Sequence, residues 1–292
     1  MIKRAFGNSG LQVSALGFGA GHIGGNELSD REAEALLNHV LDSGINLIDT
    51  ARGYGASETR IGKFLQHKRS DLILSTKIGY GIEGIPDWTA ACIEAGIDEA
   101  LKNLKTDWLD IVHLHSCPIG TLEYGEVIAA LAKAKQAGKV RLMAYSGENQ
   151  ALEWAIHAGV FDSIQCSVNI CDRYSLQHLL PIAKAKGLGV IAKRPLANAF
   201  WRFQTRPYGD YCENYWLRWQ AMGMKPEQIT TDQALRFTAF ADGVDTCIAG
   251  TRQIKNLSEL SQALEKGPLP ADLLSGWAQS YKAHGNHWVG EV

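Results

Sequence analysis

From about residue 15 to 264 the chain keeps one rhythm. Short continuous apolar runs alternate with stretches in which apolar residues recur every three or four positions. The short runs fall at 15–19, 45–49, 72–77, 109–113, 140–145, 163–168, 189–193 and 246–249, which predicts eight strands. They are apolar throughout, as parallel strands covered on both faces should be. The stretches between them predict helices. Ser29-Asp30-Arg31-Glu32 forms a capping box, Ala33, Leu36, Leu37, Val40 and Leu41 share one face, and Gly44 stops the helix. Ile93, Ile97, Leu101 and Leu104 mark a second helix, and a third ends at Gly138. Eight strands each followed by a helix fit a closed (β/α)8 TIM barrel. An open doubly wound sheet has the same rhythm, because periodicity does not reveal closure.

No linker or low-complexity stretch divides the chain, so residues 1–292 are expected to form a single domain. The segment at about 197–228 breaks the rhythm. Phe200, Trp201, Phe203, Tyr208, Tyr211, Tyr215, Trp216 and Trp219 crowd into it, although aromatics make up only 9% of the chain. This insertion follows the seventh strand, at the barrel end where active sites form. An extra helix packed on the barrel and a lid or pocket wall are both compatible with it.

Composition narrows the partners. With 29 basic and 31 acidic residues, nothing draws the chain electrostatically to nucleic acid or anionic lipid. No apolar run approaches the roughly 18 residues of a membrane helix. The opening Met1-Ile2-Lys3-Arg4-Ala5-Phe6-Gly7 meets glycine and asparagine too early for a secretory signal. The six cysteines form no C-x-x-C pair and no metal-binding group, so buried thiols in a reducing compartment are expected. A soluble cytoplasmic protein with a small-molecule substrate, no nucleic acid, no membrane and no metal follows. Its oligomeric state stays open.

Three strand ends carry residues awkward for structure alone: Asp49, Lys77 and, just past the fourth strand, His115. Tyr54 follows Asp49 in the next loop. In a parallel barrel all carboxyl ends open on one face, so these four can converge. A free tyrosine is a poor acid at neutral pH. A neighbouring ammonium makes it a better one, a carboxylate keeps the ammonium charged, and a histidine can polarise a carbonyl oxygen. Gly19-Ala20-Gly21-His22-Ile23-Gly24 also matches a dinucleotide-binding fingerprint, but that motif must open a helix. Here the capping box starts the helix only at Ser29, so these glycines are expected to shape the first loop at the pocket mouth.

The combination resembles the aldo-keto reductase family over essentially the whole chain. Asp49-Thr50-Ala51-Arg52-Gly53-Tyr54-Gly55 with Ser57-Glu58 and Gly62 is similar to the family's signature, and Ser75-Thr76-Lys77 resembles its lysine strand. Leu101-Lys102-Asn103-Leu104 through Asp107, Asp110 and His115 resembles the approach to its histidine, and Gly138-Lys139-Val140-Arg141 its fifth strand. Further echoes are Gln165 with Asn169, Pro195-Leu196, Gly250-Thr251-Arg252, the opening Gly10-Leu11-Gln12-Val13-Ser14 and the closing Trp288-Val289-Gly290.

The resemblance implies a barrel with an N-terminal hairpin and an extra C-terminal helix. It implies the catalytic set Asp49, Tyr54, Lys77 and His115. His113 competes with His115, but in this register it replaces an apolar or aromatic strand residue. The implied activity is reduction of aldehydes or ketones by NADP, or possibly NAD, chemistry with Tyr54 as proton donor. Implied cofactor contacts are Ser146, Gln165, Lys193, Arg194, Leu196, Gly250, Thr251, Arg252, Asn256 and Glu259. Arg252 suits a 2′-phosphate, with Lys255 as helper. Three departures stand out: Gly147 replaces an asparagine, Lys193 replaces a stacking aromatic, and Leu260 replaces a frequent asparagine. Lys193 and Arg194 together add two cations near the expected pyrophosphate or active-site rim. An NAD-dependent sugar or polyol dehydrogenase would use the same residues. A non-catalytic cofactor-binding regulator would not need the complete set, and a barrel enzyme acting on phosphates would make the set a coincidence.

Overall fold

The computed structural model describes residues 1–292. β1 (Lys3–Ala5) and β2 (Gln12–Ser14) form an antiparallel hairpin. The eight following strands are β3 (Leu16–Gly19), β4 (Leu47–Asp49), β5 (Ile73–Ile78), β6 (Leu109–His115), β7 (Val140–Ser146), β8 (Ser163–Ser167), β9 (Gly189–Lys193) and β10 (Thr246–Ala249). Each pairs in parallel with the next, and β10 pairs with β3, so the sheet closes into a barrel. Closure excludes the open doubly wound alternative. The expected strands recur within one or two residues, with β6 and β7 running further than the sequence indicated.

The strands read as uniformly apolar because their outer and inner faces are both covered. Outward residues such as Ile48, Leu74, Val112, Leu114, Ile164 and Val190 pack with the helix faces in one large core. Inward residues at the lower end, Leu47, Ile73, Ile111, Leu142, Ala144 and Ile191, close around Phe6 and Val13 from the hairpin. The interior becomes polar one step up several of the strands. Asp49, Ser75, His113 and Gln165 hydrogen-bond there, and Lys77, His115, Ser146 and Lys193 stand above them. The lower core excludes water, while the upper interior exposes chemistry at the carboxyl ends of the strands.

The first helix, Asp30–Asp42, opens with the expected capping box: Ser29 accepts from the Glu32 amide, and Glu32 accepts from the Ser29 amide. The helix Ala90–Leu104 is capped by Thr89. The segment after β9 folds into a 3-10 stretch Ala197–Arg202, a helix Glu213–Ala221 and a 3-10 turn Pro226–Gln228. Phe200, Tyr215 and Trp219 are buried there against Trp277 and Tyr281 of the C-terminal helix Ala271–His284. This second cluster accounts for most of the local aromatic density. No helix is long and apolar enough to cross a membrane. All six cysteines are buried and free of disulfides.

Candidate active site

Asp49, at the end of β4, is almost wholly buried and accepts hydrogen bonds from every side. Lys77 Nζ lies 2.5 Å from Oδ2, while Ser75 Oγ and Gln165 Nε2 donate to Oδ1 over 2.8 and 2.9 Å. Burial opposes the Asp49 charge, yet Lys77, His113 and these hydrogen bonds outweigh it and hold the carboxyl below its usual range. Burial likewise opposes the Lys77 charge, but Asp49 and then Tyr54 hold the ammonium above the ordinary lysine value. A buried ion pair of this kind survives only with such complete hydrogen bonding. Lys77 Nζ also donates to the Thr50 carbonyl over 2.8 Å.

Tyr54 is half-buried above this pair, with Lys77 Nζ 5.0 Å from its ring centroid. The signature residues following it hold the loop. Ser57 Oγ donates to the Ala20 carbonyl and meets Thr50 Oγ1, and Glu58 accepts from Thr76 and Asn103. The glycines of the first loop leave room for Tyr54. A side chain at Gly24 would place its Cβ 1.7 Å from the Tyr54 carbonyl oxygen, and Gly21 lies against the Tyr54 ring. Residues 20–23 form only a 3-10 turn, so the glycine motif opens no α-helix and serves the pocket mouth instead.

His115 stands edge-on to Tyr54, with ring centroids 6.3 Å apart. Burial, aided by the charges of Lys77 and Lys193, pushes its pKa down to about 4, so the imidazole is neutral near pH 7. His113 is fully buried below, with Nε2 3.0 Å from Ser75 Oγ. It belongs to the network under Asp49 and is absent from the cavity wall.

A cavity of about 380 Å³ opens above these groups. Asp49, Tyr54, Lys77 and His115 line it together with Ser146, Gln165, Lys193 and Arg194. Gln165 is engaged twice, donating to Asp49 and accepting from Ser146 Oγ over 2.9 Å. Leu196, Gly250, Thr251, Arg252, Asn256 and Glu259 do not line this cavity. They follow β9 and β10 along the rim, where Thr251 Oγ1 accepts from the Gln253 amide and Asn256 Nδ2 before the helix Ile254–Glu265. Arg252 is half-exposed, 3.9 Å from Glu27, and Lys255 pairs loosely with Glu259 on the surface.

The residue pattern and the geometry now coincide with a family model, that of the Aldo/keto reductase family, which matches residues 15–282. The chain belongs to the aldo/keto reductase family. It is 38% identical to the L-galactose dehydrogenase of Arabidopsis thaliana over 66% of this chain, a stretch that spans 65% of that relative's length. An uncharacterized oxidoreductase of Bacillus subtilis, YqkF, is 29% identical over 97% of this chain and 99% of its own. Among solved structures, the aldo-keto reductase AKR11C1 from Bacillus halodurans in its holo form superposes with a TM-score of 0.83. It is 29% identical and covers 98% of this chain and 99% of its own.

Within this aldo-keto reductase barrel, Glu148 lines the cavity without any signal in the sequence, and the neighbours of several expected residues also emerge only from the structure. Glu148 is buried beside Lys193, 3.2 Å away, and accepts from the Ser167 amide through Oε1, leaving Oε2 without a partner. The pair of cations expected at positions 193 and 194 is thus reduced to one uncompensated charge, on Arg194. Arg194 has a left-handed backbone (φ 56°), donates to the Glu291 carbonyl and stacks over Tyr211. Gly147 admits no side chain, because a Cβ there would lie 2.4 Å from the Tyr145 hydroxyl. The tail crosses the site as well. Gly290 bonds Asn149 in both directions, the Glu291 amide donates to Asp172, and Val292 reaches the cavity wall. Of the clustered aromatics at 197–228, Tyr211 is the one that lines the cavity.

Proposed function

We propose that this family member is a nicotinamide-dependent carbonyl reductase, converting aldehydes or ketones to alcohols with Tyr54 as proton donor. The observation that carries the reading is the buried Lys77–Asp49 ion pair beneath Tyr54, on the same cavity as a neutral His115. A bound nicotinamide would supply a hydride to the carbonyl carbon. Ser146 and Gln165 on the cavity wall offer polar groups for its carboxamide, and Lys193 and Arg194 on the same wall, with Leu196 just beyond it, would face the pyrophosphate. The first turn of the helix Ile254–Glu265 has no side-chain cap from Gln253, so its amides suit a phosphate. Gly250 and Thr251 precede that end, Asn256 in its first turn donates to Thr251, and Glu259 follows one turn further along. Arg252 is free of any tight ion pair and suits a 2′-phosphate, which supports NADP over NAD.

The chain's own chemistry follows from the pair. Asp49 keeps Lys77 charged, and a fixed positive charge beside the phenol favours proton transfer out of it as the substrate oxygen becomes negative. His115 offers a neutral N–H to the same oxygen. Six unpaired buried thiols and a net charge of −2 support a cytoplasmic protein without nucleic-acid or membrane partners.

Changing Tyr54 to Phe removes the hydroxyl alone. Turnover should fall by about 10²–10⁴-fold, while NADPH affinity, read from the fluorescence of the eight tryptophans, stays near wild type. Substantial remaining turnover refutes the role of Tyr54.

Oxidation of a sugar or polyol is the second reading, favoured by the similarity to an L-galactose dehydrogenase and by the polar cavity wall of Ser116, Glu148, Gln165 and Lys193. The same proton relay serves both directions. Tighter binding of NADH than of NADPH would favour this second reading.

A further inference from the structure

Tyr80 lies three residues beyond Lys77 in the loop after β5 and is not part of the cavity wall. Its hydroxyl is nevertheless 2.7 Å from His115 Nδ1, and its ring stacks on the imidazole with centroids 5.5 Å apart and planes 25° apart. The other ring nitrogen, Nε2, has no partner in the protein, and His115 lines the cavity. We infer that Tyr80 is a positioning residue that donates its hydroxyl proton to His115 Nδ1 and thereby fixes the imidazole as the Nε2–H tautomer, with its single N–H directed at the substrate oxygen. This rests on the reductase reading for its use, though not for its structure.

The direction of the hydrogen bond follows from elementary chemistry. A phenol is a better donor than acceptor, whereas the unprotonated nitrogen of a neutral imidazole is a good acceptor. His115 is neutral at working pH because burial disfavours its cation, and burial also keeps Tyr80 in its phenol form. A neutral imidazole with Nδ1 accepting must carry its proton on Nε2. Without a partner at Nδ1 the tautomers would interconvert, and one of them presents a lone pair, not a proton, to an oxygen that is gaining negative charge.

Trp88 packs on the Tyr80 ring, and three hydrogen bonds to the backbone hold its loop. Trp88 meets it edge-on with centroids 5.9 Å apart, and the Trp88 amide closes the loop onto the Gly79 carbonyl over 2.8 Å. Arg52, paired with Glu99, donates to the Tyr80 carbonyl over 3.3 Å, and Asp87 accepts from the Gly81 amide over 2.7 Å. This frame fixes both the ring and its backbone. It places one hydroxyl at one nitrogen.

The test is a long-range proton–nitrogen NMR spectrum of the full chain labelled with 15N-histidine, with His115 assigned through its loss in His115→Gln. The wild type should show His115 protonated at Nε2 and unprotonated at Nδ1. Tyr80→Phe keeps the stacking ring and should turn this into a tautomer mixture, lowering kcat about tenfold while the NADPH dissociation constant stays within about twofold. A wild-type proton on Nδ1, or an unchanged tautomer in Tyr80→Phe, overturns the inference. Failure of the reductase reading is seen separately, as absent NADPH binding or an active Tyr54→Phe variant. In either case the wild-type spectrum still decides the role of Tyr80.

Discussion

The Lys77–Asp49 pair allows a test of the site's electrostatics that needs no substrate. Asp49→Asn preserves shape but places an amide donor where Lys77 Nζ now meets a carboxylate oxygen at 2.5 Å. Asparagine can still accept from Ser75 or Gln165 through its carbonyl, so the main loss is the partner of a lysine whose side chain is 2% exposed. The Thr50 carbonyl would remain as a neutral acceptor. Stranding one member of a buried pair costs about 3–5 kcal/mol, which for a barrel of this size lowers Tm by about 6–10 °C. The double variant Asp49→Asn/Lys77→Met removes the stranded charge and should recover most of that loss, because an apolar side chain of similar length has no desolvation penalty.

Urea and thermal unfolding at pH 7 measure both variants. The pH dependence adds a second arm. In the wild type, the Asp49 contribution is complete above the ordinary carboxylate range and is lost as pH falls through its lowered pKa. The Lys77 contribution is complete below the ordinary lysine range and is lost as pH rises through its raised pKa. The pair is therefore fully stabilising across neutral pH. In Asp49→Asn, burial depresses the lysine instead, so the deficit should be largest near neutrality and shrink toward pH 10 as the lysine sheds its proton. A single variant as stable as the double would show that Lys77 is not held charged by Asp49, and the proposed relay would lose its basis.

Other outcomes follow from the same structure. Arg252→Ala should weaken NADPH binding about 10–100-fold and spare NADH in fluorescence titrations; equal losses would remove the 2′-phosphate role. Trp219 is fully buried in the second aromatic cluster, so Trp219→Ala should cost about 3–5 kcal/mol in urea unfolding. Tyr211→Ala, at an exposed ring on the cavity wall, should instead change KM with little change in stability. Trp201 and Trp216 are partly buried against the second cluster and do not line the cavity, so changing them should resemble the Trp219 result more than the Tyr211 result. Asp172 is pushed up to about 7 by burial and by the nearby Glu148 charge. The native state favours its protonated form, so stability is lost as pH rises from the ordinary aspartate value through about 7. Asp172→Asn should therefore gain Tm relative to wild type at pH 8 more than at pH 5; an equal difference at both would show that Asp172 does not titrate there.

Much of this protein was determined by local pattern. Continuous apolar runs located the strands because a barrel strand is buried on both faces, and the Ser29–Glu32 box located the first helix because capping is a four-residue affair. Asp49, Lys77 and His115 stood out because charged or titratable side chains at the ends of apolar strands have few structural uses. Closure of the sheet was beyond periodicity; it depends on β10 finding β3 across the whole chain. The roles of Tyr80 and Glu148 were equally invisible, since each acts through a partner distant in sequence, Tyr80 on His115 and Glu148 on Lys193; the closing Trp288-Val289-Gly290 was legible as a motif, but its contact with Asn149 was not. The cavity's charge balance was hidden for the same reason. Two adjacent cations, Lys193 and Arg194, were legible as a run, but the carboxylate that neutralises one of them follows a different strand. Sequence fixes which groups are available and which faces they occupy. Register and loop packing decide which of those groups meet, and hydrogen bonds and ion pairs act only at contact distances that tertiary structure alone creates.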